Sequence, residues 1–99
     1  MVIFTYVSYP PESAKDVVER FLKAPQIPDF INRKGPFVSA NLSDGIFVTS
    51  LFELDKSKLA EGLEFLGNYY AIFFGIPGYR YEIKPFFNVE EALKMIGMG

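Results

Sequence analysis

Phe37-Val38-Ser39-Ala40-Asn41-Leu42-Ser43-Asp44-Gly45-Ile46-Phe47-Val48-Thr49-Ser50-Leu51-Phe52-Glu53-Leu54 reads as a β-hairpin. Asp44-Gly45 is a dipeptide that accepts the two positive φ angles of a type I′ turn, and residues of high β propensity flank it on both sides. A two-residue loop sets Leu42 against Phe47, Ala40 against Thr49 and Val38 against Leu51 on one face. Phe37 with Phe52, Ser39 with Ser50 and Asn41 with Val48 then share the other, because successive side chains alternate across a strand. The first face is the more apolar and is expected to meet helices. The second mixes rings with small polar groups, which suits an interface or a pocket wall.

Upstream of the hairpin, Val2-Ile3-Phe4-Thr5-Tyr6-Val7-Ser8-Tyr9 is β-branched and aromatic with apolar side chains on both parities. That pattern belongs to a central strand covered on both faces and leaves open which face meets helices. Pro10-Pro11 ends the strand, since two prolines cannot donate to a ladder. Ala14, Val17, Val18, Phe21 and Leu22 then fall on one stripe of an amphipathic helix, with Ser13 and Asp16 as a weak capping box at its start and Ala24-Pro25 at its end. Pro25 to Pro36 holds three prolines and a glycine and reads as a connection, with a short turn near Asp29 to Asn32 and with Phe30 and Ile31 tucked against the core.

Downstream, Asp55 is the expected N-cap of a second helix running to about Phe74, buried along Leu59, Leu63, Leu66, Tyr70 and Phe73. Gly62 and Gly67 lower its propensity by up to about 1 kcal/mol each and are read as close backbone approaches to the sheet or a partner. Gly75-Ile76-Pro77-Gly78 stops it. Tyr79-Arg80-Tyr81-Glu82-Ile83-Lys84 alternates strictly, as a half-exposed edge strand does. Asn88 with Glu91 starts a short last helix whose apolar face is Val89, Ala92, Leu93 and Ile96. The order β-α-β-β-α-β plus a trailing helix predicts an α+β, ferredoxin-like domain over residues 1–99: a four-stranded antiparallel sheet with helices on one face. Right-handed crossovers place the first strand between the third and the fourth, with the second at the far edge.

Ninety-nine residues suffice for one core and not for two. Eleven Phe and six Tyr supply more apolar surface than one small core needs, and self-association is the ordinary way to cover the excess. A net charge of −2 gives no general attraction to phosphates, so nucleic acid is not an expected partner. With no Cys and no His the chain has no disulfide framework, no thiolate, no imidazole base and no usual haem ligand. No calcium-loop pattern occurs, and no metal or cofactor is expected. Met1 runs straight into a strand pattern, and the longest apolar run, Tyr69 to Ile76, falls far short of the roughly 20 residues that span a bilayer. A cytoplasmic protein with no membrane partner is the expectation.

Six residues are candidates for a ligand-binding site, each against a plainer packing role. Arg80 and Glu82 share one strand face, where they suit a polar ligand group or an acid–base pair, or simply a solvated edge. Asn68 and Tyr70 place polar tips in an apolar helix, and Tyr6 and Ser50 offer hydroxyls on central strands to a mostly apolar cavity. The outward rings of Phe73-Phe74 and Phe86-Phe87 are candidates for a protein interface.

The chain resembles the dimeric α/β-barrel superfamily, and within it a group of small uncharacterised prokaryotic domains. The features that carry the resemblance are Tyr9-Pro10-Pro11-Glu12, Arg20-Phe21-Leu22, the glycine-containing hairpin, and the closing segment Ile83-Lys84-Pro85-Phe86-Phe87-Asn88-Val89-Glu90-Glu91-Ala92. The resemblance implies a homodimer whose two sheets face each other and implies no particular activity. Superfamily members include cofactor-independent monooxygenases, lactone isomerases, proteins with no known reaction, and haem enzymes that rely on a histidine this chain lacks. The function expected is a homodimeric domain that binds a small apolar or aromatic ligand. Alternatives are a cofactor-independent monooxygenase- or isomerase-like enzyme on a hydrophobic substrate, with a catalytic residue left unknown, and a purely structural association module.

Overall fold

The computed structural model describes residues 1–98. Four strands, β1 (Val2–Tyr9), β2 (Asn32–Asn41), β3 (Gly45–Glu53) and β4 (Arg80–Phe86), alternate with three helices, α1 (Ala14–Phe21), α2 (Leu59–Ala71) and α3 (Val89–Met95). The strands form one antiparallel sheet in the order β2-β3-β1-β4, so β1 and β3 are central and β2 and β4 are edges. The fold is of the α+β class, and the first strand lies between the third and the fourth as the crossover argument requires.

Strand parity divides the sheet cleanly. Ile3, Thr5, Val7 and Tyr9 of β1 are buried and pair with Phe52, Ser50, Val48 and Ile46 of β3. This face meets α1 and α2, and it holds the core: Ile3, Phe52 and Leu66 are wholly shielded from solvent. The opposite face carries a row of rings in contact, Phe86 edge-on to Phe4, then Phe4 stacked with Tyr6 and Tyr6 with Phe47.

The hairpin departs from the expected register. Asn41 pairs with Gly45, so the loop is the three residues Leu42–Asp44, and Ala40 faces Ile46 while Val38 faces Val48. Only Gly45 takes a positive φ there, because the side-chain oxygen of Asn41 accepts from the backbone N–H of Asp44 at 2.6 Å and folds the loop locally. A type I′ turn would need positive φ at Asp44 as well; a three-residue loop closed by one left-handed glycine does not. Against expectation, pairing with β1 turns Val48, Ser50 and Phe52 toward the helices and Phe47, Thr49 and Leu51 away, and the longer loop brings Val38 and Ala40 to the helix side with them.

The connection read from Pro25 to Pro36 is shorter than expected, since β2 begins at Asn32. Its pairing with β3 slips at Gly35 and Pro36, where Gly35 adopts a φ of 101° that a side chain would oppose. The bulge absorbs one residue, so Arg33 and Val38, of opposite parity in the sequence, face the same side of the sheet.

Both helix starts differ in detail. Pro11–Ser13 forms a 3-10 turn ahead of α1, and the Ser13 hydroxyl caps nothing; it donates instead to the Pro77 carbonyl at 2.6 Å. Asp55 caps a 3-10 turn, Lys56–Lys58, by accepting from Ser57, and α2 follows from Leu59 and ends at Ala71. Gly62 is the close approach expected, since a Cβ there would stand 2.5 Å from Leu54 Cδ1, whereas Gly67 has nothing within 4 Å. The capping box of α3 forms as read, with reciprocal bonds between Asn88 and Glu91. Its apolar residues Val89 and Ile96 are exposed, and only Leu93 is half-buried.

Candidate functional site

The two large helices sit differently on the sheet, and the difference opens a cavity. α2 lays Leu66, Tyr69, Tyr70 and, just beyond its end, Phe73 onto the sheet so that all are buried. α1 is fastened mainly at its ends. Ser13 holds Pro77, and the Arg20 guanidinium donates to the carbonyls of Ile72 and Phe74 at the C-terminus of α2, where the helix leaves carbonyls unpaired and favours a cation. Held there, α1 overhangs β3 and β2 without closing on them: Val17 is buried, but Val18 and Leu22 on the same stripe are 51% and 76% exposed.

Between overhang and sheet lies a cavity of about 370 Å³. Its walls are apolar, built from Val7 and Val48 on the sheet, Val17 and Phe21 of α1, and Phe73 behind α2. Its polar groups are the hydroxyls of Thr5 and Ser50, the Arg33 guanidinium and the phenols of Tyr9, Tyr69, Tyr70 and Tyr79. Thr5 and Tyr70 join their hydroxyls at 2.7 Å, and Ser50, itself buried, lies beside them. Arg33 completes the group, its guanidinium 5.6 to 5.7 Å from the ring centres of Phe21, Phe52 and Tyr69. One long hydrogen bond, 3.4 Å from Nη1 to the Tyr69 hydroxyl, is its only polar contact to the protein among the described residues, and the buried Nε has no partner.

Burial makes three tyrosine hydroxyls of this region, those of Tyr9, Tyr70 and Tyr79, harder to ionise. It raises Tyr70 above the ordinary phenol value, against the opposing pull of the Thr5 hydrogen bond and the Arg33 charge. Tyr79, stacked between Tyr9 and Phe73, is driven far higher, first by burial and then by the neighbouring phenols, of which Tyr70 acts most; Tyr9 is raised by burial alone. At neutral pH these groups donate or accept hydrogen bonds and do not act as bases.

The six candidate residues separate into three places. Ser50 and Tyr70 line the cavity together. Tyr6, Arg80 and Glu82 lie on the opposite side of the sheet, around an open concavity of about 230 Å³ with Ser8, Asp44 and Phe47. There Arg80 is already answered, by Asp44 at 3.7 Å and by the Ser8 hydroxyl at 3.4 Å. Asn68 is exposed on α2 and lines neither. Tyr6 was expected beside Ser50; alternation along β1 and β3 forbids it, since Thr5 is the residue opposite Ser50. Thr5 and Arg33, with the phenols of Tyr9, Tyr69 and Tyr79, are polar cavity residues that sequence reasoning missed. The pairing of a buried Thr on a central strand was legible in principle; the placement of Arg33 depends on the bulge.

No group of three Asp, Glu, His or Cys side chains capable of holding a metal exists among the described residues, and none of their helices is long and apolar enough to cross a membrane. No protein-family model, curated protein or solved structure matches the chain.

Proposed function

We propose that this chain is a small-ligand-binding domain that takes an apolar or aromatic molecule into the cavity between α1 and the sheet. The observation that carries the reading is the cavity's make-up: apolar walls with a few convergent polar groups, the usual composition of small-molecule sites, at about 370 Å³. Fastening α1 at its ends leaves an overhang through which a ligand can enter without disturbing the sheet. Binding is favoured over catalysis because the cavity lining holds no carboxylate, imidazole or thiolate to serve as a general base near pH 7. Native mass spectrometry of freshly purified protein tests it: a retained small molecule is expected, and a bare polypeptide mass that persists when apolar compounds are added refutes it.

The topology proposed is ferredoxin-like, supported by the order of elements and by the strand order β2-β3-β1-β4. The working form proposed is a homodimer of the dimeric α/β-barrel kind, joined through the aromatic sheet face. What supports it is the row Phe86, Phe4, Tyr6 and Phe47, with Phe37 60% exposed on the same face. Sedimentation is expected to give twice the 11.2 kDa chain mass, and Tyr6→Lys is expected to return the single chain. A wild-type single chain at micromolar concentration would end the dimer proposal and leave the cavity untouched.

A further inference from the structure

Arg33 is the one charge in the cavity, and its surroundings say what it is waiting for. The two other arginines find acceptors: Arg80 meets Asp44 at 3.7 Å, and Arg20 donates to the Ile72 and Phe74 carbonyls. Arg33 has no such partner among the described residues. Arg33 is half-buried: one long bond joins it to Tyr69, its enclosed Nε has no acceptor, and the three rings 5.6 to 5.7 Å away attract its charge but accept no hydrogen bond in its plane. A buried donor left without an acceptor costs about 1–3 kcal/mol, and more when charged, so such an arrangement persists where a ligand supplies the acceptor.

We infer that the ligand is an apolar monocarboxylate whose carboxylate pairs with the Arg33 guanidinium while its body fills the space between α1 and the sheet. This deepens the binding reading above and rests on it. A planar fork of donors matches a carboxylate in two parallel bonds, which a lysine would not do. Of the Thr5 and Tyr70 hydroxyls, which bond each other, one proton stays free, and with the Ser50 hydroxyl it can donate to the remaining carboxylate lone pairs. One cation argues for a single negative charge, and the apolar walls, from Val17 to Phe73, leave nothing to satisfy a second. Size follows from volume: at about 30 Å³ for each water-sized group, 370 Å³ holds about a dozen non-hydrogen atoms.

The test uses 4-phenylbutyrate, its neutral twin 4-phenylbutyramide, and calorimetry on the intact protein. The wild type is expected to bind the acid at least tenfold tighter than the amide. Arg33→Gln is expected to remove that preference, weakening the acid by far more than the amide, and Arg33→Lys to keep only part of it. Lowering the pH through the ligand's own carboxyl pKa is expected to erase the preference in the wild type, a readout that holds if Arg33→Gln does not fold. Equal binding of acid and amide to the wild type, or a preference that survives Arg33→Gln, overturns the carboxylate assignment and leaves the apolar cavity standing. If neither compound binds, the binding reading falls and this inference falls with it.

Discussion

α1 and α2 carry the same kind of apolar stripe, yet only one of them is a core helix. On α2 the stripe residue Leu66 is wholly buried and Tyr69 and Tyr70 nearly so; on α1 only Val17 is buried, with Phe21 38% and Leu22 76% exposed. Amphipathic spacing therefore tells which side of a helix turns toward the protein and not how closely it arrives. The distance is set by contacts outside the periodic pattern: Gly62 lets α2 settle against Leu54, while the Ser13 and Arg20 bonds hold α1 out over β2 and β3.

The comparison can be broken most forcefully by truncating a leucine on each helix. Leu66→Ala is expected to cost about 2–5 kcal/mol in urea denaturation, as full burial without room to collapse dictates, and Leu22→Ala to stay within about 0.5 kcal/mol. Equal losses would mean that α1 is docked as tightly as α2. The polar contact that α2 makes at the cavity is next in size. Tyr70→Phe strands the buried Thr5 hydroxyl and is expected to cost about 1–2 kcal/mol, and adding Thr5→Val should recover most of it, because removing both partners leaves nothing unpaired.

Smaller effects sharpen the account of how α2 seats itself. Gly62→Ala is expected to destabilise by about 1 kcal/mol, since its Cβ must displace the buried Leu54 side chain and that outweighs the helix-propensity gain. Gly67→Ala, in open space, should stabilise by about 0.5–1 kcal/mol. Alkali gives a last distinction. Tyr70 and Tyr79 bind their protons more tightly folded than unfolded, so their contribution is intact below about pH 10, where unfolded tyrosine ionises, and is lost progressively as pH rises above it. Thermal melts at pH 8 and pH 11 should show a smaller alkaline drop for Tyr79→Phe than for the wild type.

The elements themselves were legible because their signals are local. The two prolines after Tyr9 and the Asn88–Glu91 capping box each act within a few residues and stand where they were read; the strand read from Tyr79 to Lys84 is there too, as Arg80–Phe86, one residue later and carried past Pro85. The site was legible only in part. Tyr70 lay on the buried stripe read for α2; Ser50 was named as a cavity residue although the expected hairpin faces turned it from the helices, and both line the cavity. Tyr6, one position from Thr5, fell on the wrong side for want of a register. Arg33 was hidden because it lies in a stretch whose prolines and glycine suggest a loop, and because the bulge at Gly35 and Pro36 reverses the facing that counting from Val38 would assign. Register is fixed by turn geometry and bulges, which single-residue propensities do not encode.

The turn at Leu42–Asp44 and the bulge at Gly35 and Pro36 together act on β2 as two frameshifts act on a message. Val38 and Ala40 lie downstream of one, counting back from the turn, and Arg33 lies downstream of both. A one-residue deletion in the turn inverts the whole strand; a deletion at the bulge inverts only the segment bearing Arg33. The two together return the guanidinium to the cavity while Val38 stays outside, so insertions and deletions at two sites, with no substitution at all, decide whether this cavity is charged, neutral or unlined.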